Sequence, residues 1–254
     1  MSFDVAATSY QRFMGRFSEP LADEFVRLAD LERGRRALDV GCGPGALTSR
    51  LAAVVGAASV AAVDPSAPFI AAVRARLPEV DVRRASAENL PFPDGTFDAV
   101  LAQLVVHFMA DPVEGLREMR RVAAPYAWVA ACVWDHEGGT GPLSPFWSAV
   151  HDVDPHAPDE SGLAGSREGH LAELFAQAGF TDPETSVLTV AVPFSTFEEW
   201  WEPFTLGVGP AGAYVAGRDP AGVAAVRERC RARLPDAPFT LRASAWAARG
   251  RAPS

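Results

Sequence analysis

The apolar positions of the first half of the chain alternate between short continuous runs and runs with helical spacing. Short apolar runs bounded by turn residues are typical of buried strands, and apolar residues three or four apart are typical of helices packed on a core. Strands are predicted over residues 36–40, 58–63, 80–85, 97–103 and 127–134. Helices are predicted over residues 10–31, 44–55, 68–77 and 112–123. This regular alternation predicts a parallel sheet with right-handed crossovers.

The pattern changes after residue 134. The segment 135–166 is rich in Gly, Pro, His and Asp, and its short apolar stretch 146–150 predicts one or two helical turns. A further helical stretch is predicted to begin near Ser195, which would be its N-cap with Glu198 three residues later. The remaining predicted elements are helices over 167–178 and 227–233 and strands over 184–194 and 239–247.

A glycine-rich loop follows the first predicted strand. Gly41, Gly43 and Gly45 occupy every second position, and Pro44 suits the first turn of the helix that follows. Glycines at this spacing let the main chain turn sharply and let a ligand approach where a Cβ would block it. A strand, a glycine loop and a helix in this order predict the nucleotide-binding corner of a doubly wound α/β sheet.

The glycine loop alone leaves the nucleotide open. Gly41, Gly43 and Ala46 also satisfy the dinucleotide fingerprint G-x-G-x-x-G/A. Asp64 ends the second predicted strand, where a carboxylate can accept hydrogen bonds from both ribose hydroxyls of an adenosine. Since NAD and S-adenosylmethionine both carry that ribose, both cofactors fit these residues.

Three further features separate the two cofactors. The first is Asp39, which lies inside the first strand, two residues before the first glycine. The second is Gly45, which follows Gly43 after a single residue, whereas the dinucleotide fingerprint has its third glycine three residues on. Downstream, residues 86–100 read Ser-Ala-Glu-Asn-Leu-Pro-Phe-Pro-Asp-Gly-Thr-Phe-Asp-Ala-Val. With these residues the chain resembles the class I S-adenosylmethionine-dependent methyltransferases, in particular their small-molecule type 11 branch. The resemblance is strongest over residues 36–122.

This resemblance implies a doubly wound, mostly parallel seven-stranded α/β sheet with an antiparallel last strand and a helical substrate-cover insertion. Residues 1–34 would form an N-terminal helical cover, and residues 35–135 the Rossmann-like cofactor-binding core. Residues 136–254 would supply the substrate-cover insertions and the final helices and strands of the same sheet.

The resemblance also implies a set of cofactor-binding residues at the carboxyl ends of the strands and in the N-terminal segment. Gly41 and its neighbours would lie against the methionine part of S-adenosylmethionine, Asp64 would bind the ribose hydroxyls, and Ser86 with Ala87 would face the adenine edge. The full set is Tyr10, Arg16, Asp39, Gly41, Cys42, Gly43, Gly45, Asp64, Pro65, Ser86, Ala87, Glu88 and Gln103.

Several of these residues have a second interpretation. Tyr10 would close over the cofactor and Arg16 would pair with its carboxylate, or their segment would be an amphipathic cover of the core. Glu88 is also explained as a solvated or capping acid. The family often has Asp at the position of Ser86, and a neutral hydroxyl accepts a hydrogen bond from the adenine amino group more weakly.

Methyl transfer requires little chemistry from the protein, because the sulfonium of the cofactor is already an activated donor. The protein must hold the acceptor in line with the S–CH3 bond and exclude water, and it needs a base only for an acceptor that is not yet nucleophilic. His107 and His136 are the candidate bases, and the alternative for each is a structural histidine. Aromatic residues would line an acceptor pocket or pack the cover onto the sheet; they are Trp134, Trp147, Trp200 and Trp201.

Charge, cysteine content and hydropathy limit the classes of ligand and partner that we expect the chain to bind. The formal net charge of −9 argues against nucleic-acid binding, which needs a basic face. Three cysteines without C-x-x-C spacing predict neither a disulfide framework nor a structural zinc site, and we expect no metal. No apolar run is long enough to span a bilayer and no signal pattern is present, so we expect a cytoplasmic protein without membrane contact. Its oligomeric state is left open between a monomer and a homodimer.

The leading hypothesis is therefore a methyltransferase that moves a methyl group from S-adenosylmethionine to a small-molecule acceptor by in-line displacement. One alternative is a catalytically silent S-adenosylmethionine-binding protein with a regulatory or scaffold role. The other is an NAD-dependent oxidoreductase, against which the Ala-Glu-Asn-Leu-Pro-Phe block at residues 87–92 argues.

Overall fold

The computed structural model describes residues 7–254, and residues 1–6 of the predicted N-terminal cover lie outside the described part. Its seven strands form one sheet in the order β3-β2-β1-β4-β5-β7-β6. The strands are β1 (Ala37–Val40), β2 (Val60–Asp64), β3 (Asp81–Arg84), β4 (Phe97–Gln103), β5 (Ala123–Trp134), β6 (Glu184–Phe194) and β7 (Phe239–Arg251). The first five strands are parallel, and β7 is antiparallel to both β5 and β6. The predicted mostly parallel sheet with an antiparallel last strand is confirmed.

Helices connect the strands, and the helices within residues 144–153 and 197–233 are together called the cover. A turn of π-helix over Gln11–Gly15 joins the first two helices. The α-helices of the described chain are α1 (Ala7–Tyr10), α2 (Arg16–Leu28), α3 (Ala46–Val55), α4 (Ala67–Arg76), α5 (Pro112–Val122), α6 (Ser144–Val153), α7 (His170–Gln177), α8 (Phe197–Trp201), α9 (Gly209–Ala216) and α10 (Pro220–Arg233). Within residues 7–254, no helix combines the length and apolarity that crossing a bilayer would need.

Two buried clusters cover the two faces of the sheet. Leu21 of α2 and Leu51 of α3 belong to the first cluster, together with apolar side chains of α6, α8, α9 and α10. Leu116 of α5 and Phe175 of α7 belong to the second cluster, on the opposite face. The central strands β1 and β4 are buried on both faces, which explains their nearly continuous apolar sequence.

The predicted cap of the helix near residue 195 is wrong by one residue. The N-cap of α8 is Thr196, whose hydroxyl accepts the Glu199 backbone N–H at 3.1 Å. The Glu199 carboxylate accepts the Ser195 N–H at 2.6 Å, which completes a reciprocal cap. The sequence offers the same Ser/Thr-x-x-Glu spacing twice in succession, and Glu198 instead pairs with two arginines of α10.

The last helix is longer than predicted. It begins at Pro220 rather than at residue 227, and its N-cap Asp219 accepts the Gly222 N–H at 2.7 Å. Proline and glycine near the start weaken the helical pattern, although proline at the first helical position is compatible with a helix. The element is thus a complete helix of the cover that packs against α6.

Candidate functional site

A cavity of about 520 Å³ opens at the carboxyl ends of β1, β2 and β4. The strand order reverses between β1 and β4, and ligands of open α/β sheets bind at such a switch point. The volume lies in the range of small-molecule sites, roughly 300–1000 Å³. Most of the residues predicted to bind the cofactor line this cavity; they are Tyr10, Asp39, Gly41, Cys42, Gly43, Asp64, Pro65, Ser86, Ala87, Glu88 and Gln103.

The glycine loop after β1 has a backbone that only glycine adopts without strain. Gly41 has a φ of +70°, and a Cβ there would lie 2.0 Å from a methyl carbon of Val105. The backbone N–H groups of Gly41 and Cys42 both donate to the Val63 carbonyl, at 2.8 and 2.9 Å. Gly43 has a φ of +51°, and nothing lies within 4 Å of the position that a Cβ would occupy. The loop is therefore fixed at Gly41 and presents open space at Gly43.

Asp64 at the end of β2 is buried and also holds the glycine loop. Its Oδ2 accepts the Gly43 N–H at 2.9 Å, and its Oδ1 accepts the Ser66 N–H at 2.8 Å. Burial raises the pKa of Asp64, and the two backbone hydrogen bonds oppose that rise. Since a carboxylate offers about four lone-pair sites, it retains acceptor capacity for two ligand hydroxyls.

Asp39 lies inside β1 at the floor of the cavity. It is buried, and the hydroxyl of Thr48 in α3 donates to its Oδ2 at 2.6 Å. Burial raises the pKa of Asp39 to about 7; the Thr48 hydrogen bond opposes the rise, and the negative charge of Asp64 adds to it. A cationic ligand beside Asp39 would favour its charged form.

The end of β3 contributes the side of the cavity farthest from β4. Ser86, Ala87 and Glu88 line it here. The Glu88 carboxylate accepts the Ala110 N–H at 2.8 Å and so ties this segment to the loop after β4. Pro65 also lines the cavity, and its carbonyl accepts a hydrogen bond from an arginine of β3 at 2.9 Å.

Tyr10 covers the cavity from the N-terminal segment. Its ring lies edge-on to Phe69 of α4, with centroids 5.4 Å apart. Burial, and then the negative charge of Asp64, raise the pKa of Tyr10 to about 12. The phenol is therefore neutral at physiological pH.

The structure does not bring Arg16 or Gly45 into the lining of the cavity. Arg16 pairs with Glu199 at 2.8 Å, donates to a carbonyl of β6 at 3.1 Å and lies 4.6 Å over the ring of Phe194. These contacts engage Arg16 within the protein, and its expected pairing with a cofactor carboxylate stays a prediction. Gly45, with a φ of +89°, is the N-cap of α3, and its carbonyl accepts a hydrogen bond from Arg76 at 2.5 Å.

The two candidate bases lie beside the cavity and not in its lining. His107 is buried, His136 is half-buried, and their ring centroids are 6.0 Å apart. Burial holds the pKa of His107 well below its usual value, and the neighbouring His136 adds to that shift. Burial also lowers the pKa of His136 to about 4. Both imidazoles are therefore neutral at physiological pH.

The tryptophans of the cover pack against other aromatic rings. Phe146 of α6 and Phe204 stack with centroids 4.5 Å apart, and Trp147, Trp200 and Trp201 surround them. None of these three tryptophans lines the cavity of the described chain. Their geometry matches the packing interpretation, in which the cover is held onto the sheet.

Sequence reasoning missed the apolar wall of the cavity and the support beneath it. Phe69, Phe108 and Met109 line the cavity, and Thr48 holds Asp39 without lining it. The sequence does contain one signal for the two phenylalanines, which is their position. Phe69 and Phe108 each follow soon after a strand end at the same edge of the sheet. Thr48 gives no local signal, because its partner lies on the preceding strand.

The comparisons with known proteins agree with this geometry. A family model described as a methyltransferase domain matches residues 38–131. An uncharacterized methyltransferase of Mycobacterium tuberculosis is 34% identical over 204 residues, which are 79% of this chain and 70% of the relative.

Solved structures share the fold. A putative methyltransferase from Bacillus halodurans superposes with a TM-score of 0.61 at 17% identity, over 92% of this chain and 99% of that chain. Phosphoethanolamine N-methyltransferase 2 of Haemonchus contortus, solved with phosphomonomethylethanolamine and S-adenosylhomocysteine, gives a TM-score of 0.62 at 16% identity. That match covers 99% of this chain and 58% of the other.

Proposed function

Since this chain belongs to the class I S-adenosylmethionine-dependent methyltransferases, we propose that it transfers a methyl group from this cofactor to a small-molecule acceptor. The observation that carries the proposal is the juxtaposition of Asp64 with the open glycine loop at Gly43. The loop leaves space where any other residue would place a side chain, and the carboxylate beside it has lone pairs to spare. These are the features that a bound ribose and amino-acid tail require.

Each part of the cofactor has matching residues in the cavity. Asp64 would accept the two ribose hydroxyls, and Ser86 with Ala87 would face the adenine edge. The loop at Gly41 and Gly43 would lie against the methionine part. Asp39 would face its positive charge, because a buried carboxylate is stabilised by a nearby cation.

When bound, S-adenosylmethionine would supply an activated methyl group for in-line transfer, with S-adenosylhomocysteine as the leaving group. The chain's own contribution is then positioning and exclusion of water. Tyr10 and Phe69 enclose one side of the cavity, and Phe108 encloses another. The proposal assigns no base, because His107 and His136 lie outside the lining.

The test is transfer of a tritiated methyl group from S-adenosylmethionine by the purified chain, with an extract divided into small-molecule, protein and nucleic-acid fractions. We expect the label in the small-molecule fraction, and we expect Asp64→Ala to abolish it. Label in a macromolecular fraction would contradict the acceptor class. Binding of the cofactor without any transfer would favour a regulatory or scaffold protein.

A further inference from the structure

A short N-terminal segment, residues 10–15, contacts both the cavity and the cover, and we call it the strap. Tyr10, its first residue, lines the cavity and packs edge-on against Phe69 of α4. Three residues later, Phe13 packs edge-on against Phe204 of the cover, with ring centroids 5.3 Å apart. The strap therefore connects the wall of the cofactor cavity with the cover.

The strap depends on these contacts for its conformation. The helix that ends at Tyr10 has 4 residues, and the π-helical turn that follows has 5. Helices this short are unstable in water on their own, because nucleation costs more than a few hydrogen bonds return. The chain is held independently only from Arg16 onward, where Arg16 donates to the Pro193 carbonyl of β6 at 3.1 Å and α2 packs on α3.

The contact between the strap and the cover lies in a buried aromatic cluster. Phe13 is 7% exposed and Phe204 is 3% exposed. Phe204 also stacks on Phe146 of α6 and packs against Trp200 of α8, with centroids 4.5 and 4.8 Å apart. Removing Phe13 from this cluster would leave a void beside Phe204. The packing of this part of the cover therefore depends on where the strap lies.

An ion pair provides a second connection at the surface. The Arg12 guanidinium lies 2.8 Å from the Glu202 carboxylate, and the two side chains are 55% and 61% exposed. Such an exposed pair contributes little to overall stability. Its charges can therefore be exchanged without disturbing the core, which makes the pair a means of loosening the strap alone.

We infer that the strap couples occupancy of the cofactor cavity to the stability of the cover, through the contact of Phe13 with Phe204. A cofactor beneath Tyr10 would add contacts to the strap, and a strap held more firmly would hold Phe204 more firmly. Because coupling between two sites is reciprocal, loosening the cover must also weaken cofactor binding. Neither Phe13 nor Phe204 lines the cavity of the described chain, so direct contact would not explain that loss.

The first experiment measures hydrogen exchange of the purified chain with and without saturating S-adenosylhomocysteine. Amides of residues 197–206 should exchange at least about threefold more slowly in the complex. Helix α7 is the control, because it lies on the opposite face of the sheet. A general gain in stability would slow both segments equally. Unchanged exchange in residues 197–206, or equal slowing in α7, would overturn the inference.

The second experiment loosens the cover at a distance from the cavity. Phe204→Leu should weaken S-adenosylhomocysteine binding about two- to tenfold, the range expected for loss of one aromatic pair. Phe175→Leu is the matched control, since Phe175 is fully buried on the opposite face of the sheet. It should lower the melting temperature and leave the affinity within about twofold of the wild type. Wild-type affinity in Phe204→Leu would overturn the inference.

The third experiment exchanges the charges of the exposed pair. Arg12→Glu places like charges together and should weaken S-adenosylhomocysteine binding at least about threefold. The double variant Arg12→Glu/Glu202→Arg restores opposite charges, and its affinity should return to within about twofold of the wild type. A double variant that binds as weakly as Arg12→Glu would contradict a connection through the cover.

The inference rests on the proposed placement of the cofactor in the cavity, and the outcomes separate the two. If the wild type fails to bind S-adenosylhomocysteine, or if Asp64→Ala binds it equally well, the proposed placement fails. If binding depends on Asp64 while Phe204→Leu keeps the wild-type affinity, the coupling alone fails.

Discussion

Asp64 and Gly43 are joined by a 2.9 Å hydrogen bond across the two strand ends that flank the cavity. One carboxylate therefore shapes the glycine loop and presents its remaining lone pairs to a ligand. This pairing explains why an acid at the end of β2 and a glycine loop after β1 occur together.

Replacing Asp64 by Ala should weaken binding of S-adenosylhomocysteine at least about 100-fold, because two charge-assisted hydrogen bonds to the ribose would be lost. Titration calorimetry measures the change, and circular dichroism verifies that the variant is folded. Asp81→Ala is the matched control. Asp81 is the first residue of β3, at the end of the strand away from the cavity, and it pairs with Arg83. Equal affinities of Asp64→Ala and the wild type would remove the ribose assignment.

Affinity for S-adenosylhomocysteine should depend on pH through Asp39. The pKa of Asp39 is raised to about 7 in the protein alone, so the group is largely protonated below that pH. The ammonium of the ligand favours the carboxylate and lowers this pKa, so binding releases protons. Affinity should therefore rise from pH 5 to pH 7 and level off above. Calorimetry at pH 6 in two buffers of different ionisation enthalpy detects the released protons.

Asp39→Asn is the control for this linkage, because the amide cannot ionise and can still accept the Thr48 hydroxyl. Its affinity should stay nearly constant across the same pH range. A pH dependence that persists unchanged in Asp39→Asn would assign the linkage to another group, such as Asp64.

Comparing Gly43→Ala with Gly34→Ala should separate the cost of backbone strain from steric exclusion of the ligand. Gly43 and Gly34 both have positive φ, and neither has an atom within 4 Å of the position of an added Cβ. Each alanine should therefore lower the free energy of unfolding by a similar amount, about 1–2 kcal/mol. Only Gly43→Ala should weaken S-adenosylhomocysteine binding, because only its Cβ enters the cavity. Denaturant unfolding and calorimetry provide the two measurements, and normal binding by Gly43→Ala would place the ligand elsewhere.

We expect Tyr10 to contribute to binding of S-adenosylhomocysteine through its ring and not through its hydroxyl. Tyr10→Ala removes the edge-on contact with Phe69 and opens the cavity, so binding of S-adenosylhomocysteine should weaken about tenfold. Tyr10→Phe retains the ring and should stay within about twofold of the wild type. Fluorescence or calorimetric titration of the two variants compares them, and an equal loss in both would assign the effect to the hydroxyl.

Arg16 should matter for the cover and not for the cofactor. Arg16→Ala removes the ion pair with Glu199, which is worth about 0–1 kcal/mol at this partial exposure. The melting temperature should fall slightly, while the S-adenosylhomocysteine affinity stays within about twofold of the wild type. A large loss of affinity would instead support the expectation that Arg16 pairs with the cofactor carboxylate.

The sequence predicted the sheet well because its signals are local. β4 and β6 have the predicted bounds, since each is an apolar or alternating run between turn residues. Asp39, Gly43 and Asp64 were also identified from local patterns at strand ends, and the structure places them around one cavity.

The parts that the sequence did not predict depend on contacts between distant residues. Arg16 lies in the N-terminal segment that was expected to bind the cofactor, but its partner Glu199 lies far along the chain. The contact of Phe13 with Phe204 likewise becomes visible only when the surrounding elements are in place. Position in a motif therefore predicts where a residue lies along the fold more reliably than which group it contacts.

The most direct test of the central claim is a crystal structure of this chain with S-adenosylhomocysteine. The account predicts both ribose hydroxyls within hydrogen-bond distance of the Asp64 carboxylate and the amino-acid tail over Gly41 and Gly43. Ligand density away from Asp64, or a cavity that excludes the ligand at saturating concentration, would contradict it.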